Sequence, residues 1–201
     1  MYQVIRNIAL YTAAAVIVIY QTPVVALDWT IRPSLNIEQI YSDNIRLTDT
    51  NKQSALVTDV SPGVSINGSS PISNFDFNYR VQGLYNAQGD SGLDVNNQLQ
   101  MNTDYQLIRD RFFVESSSSI SQQNVSNRQI ANDNISGGSN SSTVSTFRLS
   151  PYWTPHFKGF ADGEFRVTYD TVSSKGGESS LSDTDSFSQN INLNSGNDFS
   201  L

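Results

Sequence analysis

From Trp29 to Asn194 apolar and polar side chains alternate at period two in eight separate segments, and this alternation limits what the chain can fold into more than any other feature. A period of two places successive side chains on opposite faces of an extended strand, whereas a helix requires apolar residues at a spacing near 3.6. The third segment sets Phe75, Phe77, Tyr79, Val81, Gly83 and Tyr85 on one face, against Asp76, Asn78, Arg80, Gln82, Leu84 and Asn86. The fourth opposes Leu99, Met101, Thr103, Tyr105 and Leu107 to Gln98, Gln100, Asn102, Asp104 and Gln106. In the seventh, Phe165, Val167 and Tyr169 oppose Asp162, Glu164, Arg166, Thr168 and Asp170. The first segment places Trp29, Ile31, Leu35, Ile37 and Tyr41 opposite Arg32, Ser34, Asn36 and Glu38, and the second places Leu56, Val60, Val64 and Ile66 opposite Asp59, Ser61 and Ser65. Weaker copies lie at Phe112–Ser121, Thr146–Trp153 and Phe187–Asn194. An all-β, antiparallel fold is expected.

Alternation alone does not say which face is inside. The connectors do. Long stretches rich in Ser, Asn, Asp and Gly follow segments one, three, five and seven (Ser42–Ala55, Gln88–Asn96, Gln122–Thr143, Val172–Thr184). Short ones follow segments two, four and six (Asn67–Asn74, Arg109–Arg111, Thr154–Gly159). A soluble sandwich has no reason to sort its loops by end; an up-and-down transmembrane β-barrel does, with long extracellular loops and short periplasmic turns. The expectation is therefore such a barrel, inserted in an outer membrane with its N-terminus periplasmic, each segment crossing with about 9 to 11 residues. The residues expected to face the lumen are Arg32, Glu38, Asp59, Arg80, Asp104, Arg148, Glu164 and Arg166, with Glu115 beside them. Trp29, Phe75, Phe112, Phe113, Trp153 and Phe160 cluster at the short-turn end, where an interfacial aromatic girdle is expected. No charge falls on the apolar faces of these segments, and Gln189 is their main blemish. Facing of this kind predicts that Val81→Arg impairs assembly and that Gln82→Arg is nearly silent.

The N-terminus reads as a secretory signal: Arg6, then the apolar run Ile8–Tyr20, then Pro23 before Val24, Val25 and Ala26. Gln21, Thr22 and Pro23 end that run short of the roughly 20 apolar residues a spanning helix needs. The expected division is residues 1–26 as signal peptide and 27–201 as barrel domain. A net charge of -7 with scattered basic residues argues against nucleic acid as a partner. The absence of cysteine excludes a disulfide framework and thiolate metal sites.

Chemistry is sparse, and neither catalysis nor a cofactor is expected. His156, the single histidine, lies in the turn Thr154-Pro155-His156-Phe157, where neither a cleft nor an orienting acid is expected. The pairs Asp162/Glu164 and Asp183/Asp185 have the strand-face spacing of about 7 Å that carboxylate pairs use. Such pairs arise by chance on any polar face, and Arg166 is placed to neutralise the first; the Asp183 loop offers at most weak oxygen ligation to Ca²⁺.

The run Trp29-Thr30-Ile31-Arg32-Pro33-Ser34-Leu35-Asn36-Ile37-Glu38-Gln39-Ile40-Tyr41-Ser42-Asp43-Asn44-Ile45 resembles the opening of outer-membrane β-barrel proteins associated with PEP-CTERM protein-sorting systems. So do Val57-Thr58-Asp59-Val60-Ser61-Pro62-Gly63-Val64-Ser65-Ile66 and Asn194-Ser195-Gly196-Asn197-Asp198-Phe199. The resemblance implies a barrel concerned with exopolysaccharide export or envelope protein sorting, with outer-membrane lipid, polysaccharide and export components as partners; it carries over no catalytic residues. Such barrels are longer than this chain, so about eight strands of an incomplete barrel, truncated at the C-terminus, are expected. The other reading left by the same composition is a secreted soluble β-rich protein, such as an adhesin or binding module.

Overall fold

The computed structural model describes residues 28–45, 49–87, 92–124, 141–176, 183–196 and 198; the expected signal peptide lies outside them. It contains eight strands: β1 (Asp28–Ser42), β2 (Ala55–Ser70), β3 (Ser73–Asn86), β4 (Leu93–Ile108), β5 (Phe112–Asn124), β6 (Ser141–Trp153), β7 (Ala161–Lys175) and β8 (Thr184–Ser195). They form one antiparallel up-and-down sheet in sequential order β1 to β8, with no helix of more than an isolated turn among the described residues. Strand number, order and direction agree with the sequence expectation. The sheet is not closed: β1 and β8 are its two edges and do not pair with each other.

The strands run 12 to 16 residues, longer than the expected 9 to 11. The extra length lies in polar flanks that read as turn. Asn67, Gly68 and Ser69 pair with Thr30, Trp29 and Asp28 on one side and with Asp76, Phe75 and Asn74 on the other. Side chains reinforce these rungs, Asn67 Nδ2 donating to Asp76 Oδ1 at 2.6 Å and Ser69 Oγ to Asn74 Oδ1 at 3.1 Å. Between β2 and β3 only Pro71 and Ile72 remain, with the Ile72 and Ser73 amides donating to Ser70 Oγ. Asp110 closes the β4–β5 turn with φ at 57° while the Arg111 amide donates to the Ile108 carbonyl. The sorting of connectors survives these longer strands, each odd-numbered connector outlasting its neighbours, although residues 176–183 exceed 154–160 by only one.

Register then fixes facing. Glu38 opposes Asp59, Asp59 opposes Leu84, Arg80 opposes Gln98, Asp104 opposes Glu115, Ser117 opposes Arg148, Tyr152 opposes Arg166, and Glu164 opposes Asn192. Directly opposed residues in an antiparallel pair share a face. All eight residues expected to line the lumen therefore lie on one face of the sheet. That face is concave: residues from β1 to β6 enclose a groove on it, and Asp59, Ser61, Ser142 and Ser150 are buried there, while Arg166 on β7 reaches over β6 to Glu115 on β5 at 2.6 Å. The convex face holds the apolar set, with Ile31, Leu35, Ile37, Ile191 and Leu193 each more than 60% exposed. Phe77 and Tyr79 stack along it at 6.5 Å and do not meet in an enclosed core.

Two corrections follow. Lys175 and Asp185 fall on the convex face, which was expected to be free of charge, because β7 and β8 extend past their apolar centres; both lie at the end bearing the long connectors. Asp185 accepts from the Tyr169 hydroxyl at 3.1 Å. Gln82, the expected silent position, is buried and donates to Asp59 Oδ2 at 2.6 Å. A sound contrast to Val81→Arg is consequently Gln100→Arg, on the exposed concave side of β4. Val81→Arg is expected to reduce folding into liposomes by about 2 to 4 kcal/mol and Gln100→Arg by under about 0.5 kcal/mol. Folded fractions from heat-modifiable migration measure both, and equal damage would disprove the facing.

Candidate functional site

The concave face carries three neighbouring zones, set by which residue types alternate inward on each strand. At its centre, strands β1 to β6 line an open groove of about 720 Å³. Its lining is small or amide-bearing, including Ser34, Gly63, Asn78, Gln100, Ser117 and Ser119, with Arg80 as the cation. Arg80 donates through Nε and Nη2 to Gln98 Oε1, its cross-strand partner on β4. Gly63 keeps the groove open between β1 and β3, since a Cβ there would stand 2.9 Å from Ser34 Oγ and 3.1 Å from the Tyr79 carbonyl oxygen.

Towards the long-connector end the groove meets an apolar cap. Ile45, in the connector after β1, packs on Ala55, Val57 and Leu84, all buried. The fold places it there by a backbone bond from the Ile45 amide to the Gln53 carbonyl at 2.9 Å, which turns the connector inward. Beneath the cap Asp59 accepts from both Ser61 Oγ and Gln82 Nε2, so this buried carboxylate has two donors. Sequence reasoning missed the cap because the connector is polar overall; Val57 and Leu84, apolar residues on the polar face, were the available signal.

Towards the short-turn end lies a charged and aromatic zone. Arg166 donates through Nε to Glu164 at 3.0 Å, through Nη1 to Glu115 at 2.6 Å and to Ser150 Oγ at 3.2 Å. Its guanidinium carbon stands 3.9 Å from the centre of the Tyr152 ring, which stacks on Phe113 at 4.8 Å. The expected neutralisation of the Asp162/Glu164 pair by Arg166 is thus half realised. Asp162 turns instead to His156, Oδ1 to Nδ1 at 2.8 Å, through a β-bridge between the two residues. An orienting acid therefore does stand beside His156, against expectation, but both side chains are about 60% exposed and outside the groove.

The remaining expected residues are placed as follows. Arg148 pairs with Asp170, on the same face. Arg32 and Glu38 lie on edge strand β1, exposed, and Asp104 sits beside Glu115. Trp29 and Phe75 meet edge-to-face at 5.7 Å on the convex side, and Phe112 opposes Trp153, whereas Phe113, expected in the same girdle, lies on the concave face because it is one residue out of phase with Phe112. Phe160, in the turn before β7, lies at that same end. Asp183 accepts from the Ser174 amide at 3.0 Å, and among the described residues no three His, Asp or Glu side chains gather as a metal-binding group. Comparison with models of known families, with curated proteins and with solved structures found no match.

Removing Arg166 strands two carboxylates that it now bridges, whereas Arg148 makes one pair with 62% of its side chain exposed. Arg166→Gln is expected to cost about 2 kcal/mol and Arg148→Gln under about 1 kcal/mol. Urea midpoints in detergent check the order; similar midpoints for both would show that the bridge contributes nothing.

Proposed function

We propose that the chain is a non-enzymatic outer-membrane β-barrel protein, a pore or structural component that gives a hydrophilic polymer a polar path through the envelope. In this reading it serves exopolysaccharide export or the protein sorting of PEP-CTERM systems. One observation carries the reading: the sheet is dressed inside out, with a broad apolar convex face exposed and its ion pairs on the concave side. In water a continuous apolar surface of this kind promotes association and aggregation. Against hydrocarbon it is the stable face, and charges there would cost roughly 2 to 4 kcal/mol each at midplane.

Smaller features support the same reading. Aromatic residues gather at the rim beside the short turns, where headgroups accept both ring and polar edge. Convex-face polar groups find partners within the sheet, the Tyr79 hydroxyl donating to Asn97 Oδ1 at 2.7 Å and Ser118 Oγ to the Thr146 carbonyl at 3.1 Å. The sorted connectors fit a periplasmic start of β1 and long extracellular loops. The sequence resemblance noted for residues 29–45 and 57–66 agrees with the proposed setting.

The seam between β1 and β8 belongs to this proposal. Both edges present backbone groups that no neighbouring strand satisfies, and in hydrocarbon each unsatisfied group costs several kcal/mol. In the membrane the seam is closed by strands beyond these eight. A closed eight-stranded barrel is filled by its own side chains; a serine-lined groove of about 720 Å³ fits a wider one.

The chain has no native cysteine, so introduced pairs report cleanly on the seam. Cysteine at Asn36, on β1, combined in turn with cysteine at Ser188, Asn190 or Asn192, on β8, is expected to give no disulfide within one chain after insertion into liposomes. Heat-modifiable migration and protease protection report insertion itself. A soluble monomer that ignores liposomes would overturn the membrane reading, and an efficient disulfide within one chain would show that eight strands close by themselves.

A further inference from the structure

We propose that Phe113, Tyr152 and Arg166 form a stacking platform for a pyranose ring of an uncharged oligosaccharide. The inference rests on the preceding reading only in taking the concave face as a water-filled path.

The motivating observation is a breach of the binary pattern. Across all eight strands Phe113 and Tyr152 are the two aromatic residues whose register puts them on the concave face. They are cross-strand partners on β5 and β6, with rings 4.8 Å apart and 9° from parallel. The next partner in the same row, on β7, is Arg166, its guanidinium 3.9 Å from the Tyr152 ring centre. Glu115 and Glu164 pair with that guanidinium, so Arg166, Tyr152 and Phe113 stack one on the next, Tyr152 bracing Phe113, whose outer face ends the row. Neither ring is buried, and the second face of Phe113 meets no other ring among the described residues.

A half-exposed aromatic row flanked by carboxylates suits a ligand with an apolar face and a hydroxyl rim. A pyranose has both: its axial C–H bonds meet an aromatic face, and its equatorial hydroxyls donate to carboxylate or serine oxygens. Glu115, Glu164 and neighbouring Asp104 outnumber Arg166, so the zone repels uronates and phosphates. Position supports the same ligand. Along β5 the concave side chains run Phe113, Glu115, Ser117, each step about 7 Å, which joins the platform to the groove. A linear oligosaccharide stacked at Phe113 would continue over Asn102, Gln100 and Ser119, groups that match sugar hydroxyls without demanding charge.

The full chain, refolded in detergent, is titrated calorimetrically with maltohexaose and cellohexaose as neutral probes and with hexagalacturonate as the anionic one. At least one neutral hexamer is expected to bind, with hexagalacturonate tenfold weaker or worse. Phe113→Leu and Tyr152→Leu are each expected to weaken that binding about tenfold. Phe113→Tyr, which preserves stacking, and Phe147→Leu, on the opposite face of β6, are expected to leave it within twofold. Heat-modifiable migration of every variant separates loss of binding from loss of folding. The platform is overturned if neither neutral hexamer binds, if hexagalacturonate binds equally well, or if both leucine variants bind like the parent. Sugar binding by a protein that fails to enter liposomes would sink the membrane reading while leaving the platform standing.

Discussion

Everything in this molecule depends on an unbroken parity of strand register. Seven successive antiparallel pairings carry one face from β1 to β8, and a slip of one residue at any of them would send the next strand's charges to the apolar side. The single irregularity, between Gln106 and Ile108, falls at the β4–β5 turn, where it reverses nothing further along the sheet. The consequence is a face of Ser, Asn, Gln and paired charges drawn from strands between Asp28 and Ser195 yet continuous in space, backed by a predominantly apolar one.

Strand centres were legible because their two faces differ so sharply; strand ends were not. Asn67-Gly68-Ser69 looks like a turn by composition, but a ladder is built from backbone groups, and with partners on both sides even glycine and asparagine extend it. The same effect brought Lys175 and Asp185 into strands and onto the convex face. Facing, which depends only on parity, was readable for Arg32, Glu38, Asp59, Arg80, Asp104, Arg148, Glu164 and Arg166 alike. Partnership was not. Arg166 bridges to Glu115 across an intervening strand, and which of several same-face carboxylates a long side chain reaches leaves no trace in a period of two. Likewise Asp162 departs from its expected neighbour Arg166 for His156, because the β6–β7 connector folds back to form a bridge.

The concave face shows how the binary code is modulated along one axis. Ile45, Val57 and Leu84 make one end apolar, neutral hydroxyls and amides fill the middle, and ion pairs with two stacked rings occupy the other end. Each zone breaks or softens the alternation differently, while the convex face is interrupted mainly by small polar residues such as Ser116 and Ser118 and, at the long-connector end, by Lys175 and Asp185. In the proposed membrane setting a surface that meets hydrocarbon is under one demand, so its pattern is simpler, whereas variation accumulates where contacts are specific.

That contrast bears on how the charged zone holds its shape. Glu115 and Glu164 compete for one guanidinium, and neither is shielded from water well enough for attraction alone to fix the geometry, with side chains 40% and 32% exposed. The arginine is oriented from a third direction by the Tyr152 ring, itself braced by Phe113. Planarity matters here: a guanidinium can stack and still direct its donors sideways, which an ammonium on a flexible stem cannot. Lysine at position 166 would keep the charge and lose the arrangement, because the two carboxylates and the ring approach from directions that only a flat, forked cation satisfies at once.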